Sequence, residues 1–281
     1  MTVVTEFFKH SNFNGASETF VTNTNWRWHW IKFGGTLRNE ISSLRSNVVS
    51  GRAANVYGFA NNNFTGDFAS LNVPAGYTCW YSSLGNQLND DIESALVIRR
   101  NERELVQPLR DMIVPDFEEQ FDLATEGQQV RRNGSPTVSG LFFPSHDPNA
   151  MLVRIRQRMI VELDCWWDYD ATVSFDLEFR LTNANTIDGF CKWVTTWVEG
   201  GAFSNTIRNE MHPRMMQAAG ILTQRLRQSL GVVNLGAAIF GYRFGAIYVL
   251  PGNQPSFPPG GPYGRTGTST EDCCLVVTRI D

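Results

Sequence analysis

Charge is scarce in this chain of 281 residues: Asp, Glu, Lys and Arg make up 19%, and 24 basic against 28 acidic residues leave a net charge of −4. A groove that tracks a phosphate backbone needs a basic excess, so the balance argues against nucleic acid as a partner. Histidine is also scarce, and His10, His29, His146 and His212 show no HExxH or other metal-ligand spacing. The cysteines, Cys79, Cys165, Cys191, Cys273 and Cys274, are odd in number and lack a CxxC pair, which predicts no disulfide framework and a reducing compartment. No GxSxG elbow, P-loop or GxGxxG is present, and the expectation is a protein that is not an enzyme. The longest charge-free apolar run, Val232 to Tyr242, ends at Arg243, well short of the roughly 20 residues that span a bilayer. No transmembrane segment is expected. Glu6 stands where a secretory apolar segment would run, so no signal peptide is read and the expected location is cytoplasmic, or outside by non-classical release.

What is present is a substantial apolar fraction, 42%, enough for a core and compatible with two domains at this length. An internal repeat fills the first hundred residues at an offset of 51. It carries Phe8, Phe13 and Gly15 onto Phe59, Phe64 and Gly66, Gly34 and Leu37 onto Gly85 and Leu88, and Ile41 and Ser43 onto Ile92 and Ser94. Phe20 maps onto Leu71 and Asn39 onto Asp90. Short apolar runs punctuated by Asn, Gly and Ser predict short strands and tight turns. In each copy the two aromatics are placed to clamp a folded hairpin, with Gly supplying a turn that a Cβ would obstruct.

These residues resemble the βγ-crystallin family, in which paired Greek-key motifs form a β-sandwich. The resemblance covers residues 1–100. It also includes a calcium signature, read as Arg38-Asn39-Glu40-Ile41-Ser42-Ser43 in the first copy and Asn89-Asp90-Asp91-Ile92-Glu93-Ser94 in the second. What the resemblance implies is one Ca²⁺ site, with ligands from the Glu40 carbonyl, the Ser42 hydroxyl and the Asn89 side chain, all hard oxygens. The second site is degenerate: it retains the Asp91 carbonyl but has Glu93 for a hydroxyl and Arg38 for an Asn or Asp. A guanidinium cannot ligate a cation, so Arg38 and Glu93 are expected to replace the ion with a salt bridge. The same residues also suit Asx-type turns with no ion bound.

Residues 101–150 read as a linker with a short helix starting at Pro115, with Phe117, Phe121 and Ala124 on its apolar face. Residues 151–281 read as an α+β domain, an antiparallel sheet covered by a helix. Val153, Ile155, Met159 and Val161 alternate with Arg154, Arg156 and Arg158, and Val173 to Leu181 alternate likewise. A third, poorer strand is expected at Phe190 to Val198. Ser204 to Leu230 reads as helix broken at Pro213, followed by strands at Tyr242 to Leu250 and Cys274 to Ile280 and, between them, a loop from Pro251 to Gly267. Trp166, Trp167, Asp168 and Asp170 form a candidate ligand-binding cluster, or equally a hairpin end whose carboxylates satisfy a turn. Met211, Met215 and Met216 suit core packing or a binding stripe. Taken together, the reading is a non-enzymatic calcium-binding protein with a second domain of unassigned binding activity. The alternatives are a target-binding or cytotoxic, toxin-like protein, or an enzyme inhibitor. The partner would be an unknown protein, glycan or membrane target.

Overall fold

The computed structural model describes residues 2–23, 28–51, 53–62, 66–86, 88–99, 104–141, 150–163, 168–182, 185–251, 264–268 and 273–280. Expectations placed on Phe64, His146, Cys165, Trp166 and Trp167 lie outside them. The first part holds β1 (Thr2–His10), β2 (Asn14–Thr22), β3 (Trp28–Lys32), β4 (Ser43–Ser50), β5 (Ala54–Phe59), β6 (Asp67–Val73), β7 (Thr78–Tyr81) and β8 (Ser94–Arg99). There follow β9 (Glu104–Pro108), α1 (Leu109–Thr125), β10 (Val130–Arg132), β11 (Thr137–Leu141), β12 (Ala150–Val161), β13 (Tyr169–Leu181) and β14 (Ile187–Val198). The last elements are α2 (Ser204–Phe240), β15 (Arg243–Pro251), β16 (Gly264–Thr268) and β17 (Cys273–Ile280). The architecture is mostly antiparallel β-sheet with two helices. Among the described residues no helix is long and apolar enough to cross a membrane.

The chain divides into two compact units, one of Met1–Glu104, Leu141–Pro148 and Gln254–Thr270, the other of Leu105–Gly140, Asn149–Asn253 and Glu271–Asp281. The stretch expected to be a linker therefore carries β9, α1, β10 and β11, and the expected loop from Pro251 to Gly267 contains most of β16, which pairs with β6.

In the first unit the two sheets run β2-β1-β4-β7 and β16-β6-β5-β8-β3. The offset of 51 maps β1, β2 and β4 onto β5, β6 and β8. The third strand of each repeat lies beside the fourth strand of the other, β7 next to β4 and β3 next to β8. This exchange lets each repeat complete the other's sheet, and a shared apolar core forms from Val3, Phe7, Leu37, Ile41, Leu44, Val56, Leu71, Leu88, Ile92 and Val97.

In the second unit β10, β12, β13 and β14 form a sheet with β11 also on β12, and β15, β17 and β9 form a separate three-stranded sheet. The period-two alternation of β12 and β13 puts Val153, Ile155, Val173, Phe175 and Leu177 in the core. Phe117 of α1 meets Phe175 edge-on with ring centroids 5.2 Å apart. Gly189 on β14 admits α2 closely: a Cβ there would lie 2.8 Å from Leu226 Cδ2 and Leu230 Cδ1.

Both helices correct the proline-based boundaries. α1 begins six residues before Pro115, and α2 runs unbroken through Pro213. An interior proline costs about 3 kcal/mol. In α1 the buried series Leu109, Ile113, Phe117, Phe121 and Thr125 continues across it at spacings of four. In α2, Pro213 is exposed while Ile207, Met211, Met215, Leu222, Leu226 and Leu230 are buried. In each case the buried stripe outweighs the local penalty. α2 stops at Gly241, whose φ of 69° supplies a left-handed cap. Met211 and Met215 are core, whereas Met216 is exposed.

Candidate functional sites

The hydrogen bonds of the first unit repeat at the same offset as the sequence. Ser42 N donates to Phe8 O and Glu93 N to Phe59 O, both at 3.0 Å. Leu84 N donates to Ser42 O and Phe33 N to Glu93 O, both at 2.9 Å. The hydroxyls of Ser43 and Ser94 donate to His10 O and Asn61 O at 2.7 and 2.6 Å. Asn39 and Asp90 both adopt positive φ, 54° and 59°. Gly15 and Gly66 sit at φ +81° and +85°, and a Cβ would come within 2.6 Å of His10 and Asn61, so the turn glycines are required sterically as well as conformationally. Phe8 and Phe13 meet edge-on at 5.5 Å beneath the Arg45 guanidinium.

Within that common frame the two ends differ. At the first, Ser42 is buried, with its Oγ 2.8 Å from the Lys9 carbonyl oxygen and 2.5 Å from Asp90 Oδ1. The hydroxyl has one proton for these two acceptor oxygens, so it is shared between them or committed to one. Asn89, the residue expected to face Ser42, instead donates its amide to Asp90 Oδ2 at 3.1 Å. The side chain brought to the serine is the neighbouring carboxylate, because the left-handed turn at Asp90 aims it there. The Glu40 carboxylate pairs with Lys9 at 3.3 Å.

At the second end Arg38 Nε donates to Glu93 Oε1 at 3.1 Å, the salt bridge expected between these two residues. Asp91 is pushed up from the ordinary carboxylate range by burial, and by the charges of Asp67 and Glu93. Among the described residues no group of three or more His, Cys, Asp or Glu side chains is placed to hold a metal ion; a site of carbonyl, hydroxyl and single carboxylate oxygens does not need one.

In the second unit, of the Trp166, Trp167, Asp168 and Asp170 cluster only the two aspartates are described, with Asp168 just before β13 and Asp170 within it. The structure instead displays a different tryptophan pair. On the sheet face opposite the helices, cross-strand register lines up Arg154, Asp176 and Trp193, then Arg156, Ser174 and Thr195, then Arg158, Thr172 and Trp197. Trp193 and Trp197 are 52% and 56% exposed. Asp176 is buried and takes both arms of Arg154 at 2.7 Å, which raises the guanidinium's pKa. Burial pushes the neighbouring Glu178 carboxyl up, but hydrogen bonds from Lys192 and Arg180 outweigh it and hold it below the usual range. Arg156 and Arg158 are exposed and have no ion-pair partner among the described residues. A groove of about 380 Å³ is lined by Arg154, Arg156, Thr172, Ser174, Thr195 and Trp197. Alternation in the sequence carried this signal, since Trp193, Thr195 and Trp197 share one parity and Val194, Thr196 and Val198 the other.

Comparison with protein-family models, with curated proteins and with solved structures returned no match.

Proposed function

We propose that this chain is a non-enzymatic calcium-binding protein whose first unit is a βγ-crystallin-like pair of Greek-key motifs. The observation that carries the reading is the Ser42 hydroxyl crowded by the Lys9 carbonyl and the Asp90 carboxylate, at the position that the family resemblance marks for calcium. A Ca²⁺ ion takes six to eight such oxygens at roughly 2.3–2.6 Å and would gather these converging acceptors into a coordination shell. Ser42, Asp90 and the Lys9 carbonyl would hold it together with the Glu40 carbonyl and the Asn89 side chain. Its chemistry there is structural: it cross-links the two motifs, as the Arg38–Glu93 pair does at the other end.

One observation speaks against thiol catalysis at Cys191: its thiol is pushed up to about 12 by burial and by Asp176, so it is not a thiolate at neutral pH. A second reading, a target-binding protein, is favoured by the Arg- and Trp-bearing face of the second unit.

Isothermal calorimetry of the full chain with CaCl₂ tests the first reading. We expect one ion per chain, with Ser42→Ala and Asp90→Ala each abolishing binding and Glu93→Ala leaving it in place. Two equivalent ions, or no heat and no thermal shift at millimolar calcium, would contradict it.

A further inference from the structure

We infer that the open face of the β12–β13–β14 sheet is a binding site for an acidic oligosaccharide, one whose sugar rings carry sulfate or carboxylate groups. The argument rests on the second unit alone and is independent of the calcium reading.

Strands lie about 4.8 Å apart and alternate residues about 6.7 Å apart along a strand, so the three registered rows make a grid of nine side chains. One margin is cationic, Arg154, Arg156 and Arg158. The opposite margin, about 10 Å away, is aromatic at Trp193 and Trp197. Between them Thr172, Ser174 and Thr195 form a floor of hydroxyls, each able both to donate and to accept. Asp176 pairs with Arg154, which leaves two exposed guanidiniums that have no ion-pair partner among the described residues, on a chain whose net charge is −4. The complementary ligand is anionic at one end, polyhydroxylated in the middle, and has an apolar ring face at the other. A sugar ring fits the aromatic end because its C–H face packs on an indole, and Trp197 offers one with more than half its surface exposed. Arg156 and Arg158 present planar forks that take sulfate or carboxylate oxygens in pairs. The groove of about 380 Å³ falls within the range of small-ligand sites.

A single-stranded nucleic acid would also use arginines and stacking rings, but its regular phosphates call for a continuous cationic track. Here the first arginine of the row is already neutralised, and Lys192, which lies 4.7 Å from the Trp193 ring, is committed to Glu178.

The test is calorimetry on the full chain in calcium-free buffer at about 0.15 M salt, where exposed charges more than about 8 Å apart are screened. The probes are a heparin hexasaccharide, a hexagalacturonate, neutral maltohexaose and a dT12 oligonucleotide. One or both acidic hexasaccharides should bind at one site, and the pair identifies whether sulfate or carboxylate is preferred. Maltohexaose should bind at least about tenfold more weakly, since it cannot use the arginines. Arg156→Gln and Arg158→Gln should each weaken binding about fivefold or more and steeply reduce its salt dependence. Trp197→Ala should weaken it about tenfold and Trp197→Phe much less, with circular dichroism verifying that each variant is folded. The inference is overturned if neither acidic sugar binds at millimolar concentration, or if maltohexaose or dT12 binds as tightly. It is also overturned if the variants bind like the parent, or if sedimentation shows a dimer in which Trp197 is shielded.

Discussion

The two repeats of the first unit share their backbone and differ in their chemistry. Hydrogen bonds recur at an offset of 51 residues to within about 0.1 Å, yet where the copies meet, one end sets Ser42 against Asp90 while the other closes with Arg38 on Glu93. Two means of joining the two copies can thus occupy one frame, a serine–carboxylate hydrogen bond at one end and an ion pair at the other. The frame depends on turn geometry and shared core, and the ends are free to diverge.

The largest expected effect tests whether the frame is truly repeated. Gly15→Ala and Gly66→Ala each force a side chain into positive φ and into contact at 2.6 Å, at His10 and Asn61 respectively. Each should cost about 1–3 kcal/mol in urea denaturation. No measurable loss at either position would mean that its turn does not require the positive φ that both share.

A smaller effect separates the ends. A double-mutant cycle on Arg38 and Glu93 should give a coupling of about 0–1 kcal/mol that shrinks with salt, since Arg38 is more than half exposed. An unchanged coupling in 1 M salt would point to a contact other than charge.

The smallest effect is one of pH, at equivalent positions. Glu40 has Lys9 beside it, whereas Asp91 is pushed up by burial and by two carboxylates. A folded-state pKa above the unfolded value of about 3.9 means that ionised Asp91 opposes folding, and the penalty lifts as pH falls through the raised value. Asp91→Asn should therefore raise the melting temperature at about pH 7 and lose that advantage toward about pH 4, while Glu40→Gln should give no gain at neutral pH.

Much of this frame was legible in the sequence because a repeat states its own register: positions 51 apart had to occupy equivalent places, while the pairing of Arg38 with Glu93 followed only from what the βγ-crystallin resemblance implies. The swap of Asp90 for Asn89 at Ser42 was not legible, since adjacent residues compete for one position and the turn's φ decides between them. In the second unit, strict alternation marked β12 and β13, including the arginine row. The helix boundaries differ from the expectation because Pro115 and Pro213 are strong local signals overridden by buried stripes that run the length of helices of 17 and 37 residues. β16 was invisible because a five-residue strand, Gly-Arg-Thr-Gly-Thr, carries no apolar pattern and exists by pairing with β6. The exposed tryptophans of β14 share one parity in the sequence, but their meaning depends on Arg156 and Ser174 across the sheet.

The most direct measurement converts one end into the other. If the ends differ only in the residues that close them, Arg38→Asn, Asn39→Asp and Glu93→Ser together should place the equivalents of Asn89, Asp90 and Ser42 at the second end. Calcium calorimetry should then rise from one ion per chain in the parent to two in the triple variant. A triple variant that still binds one ion, or a parent that binds none, would contradict the account.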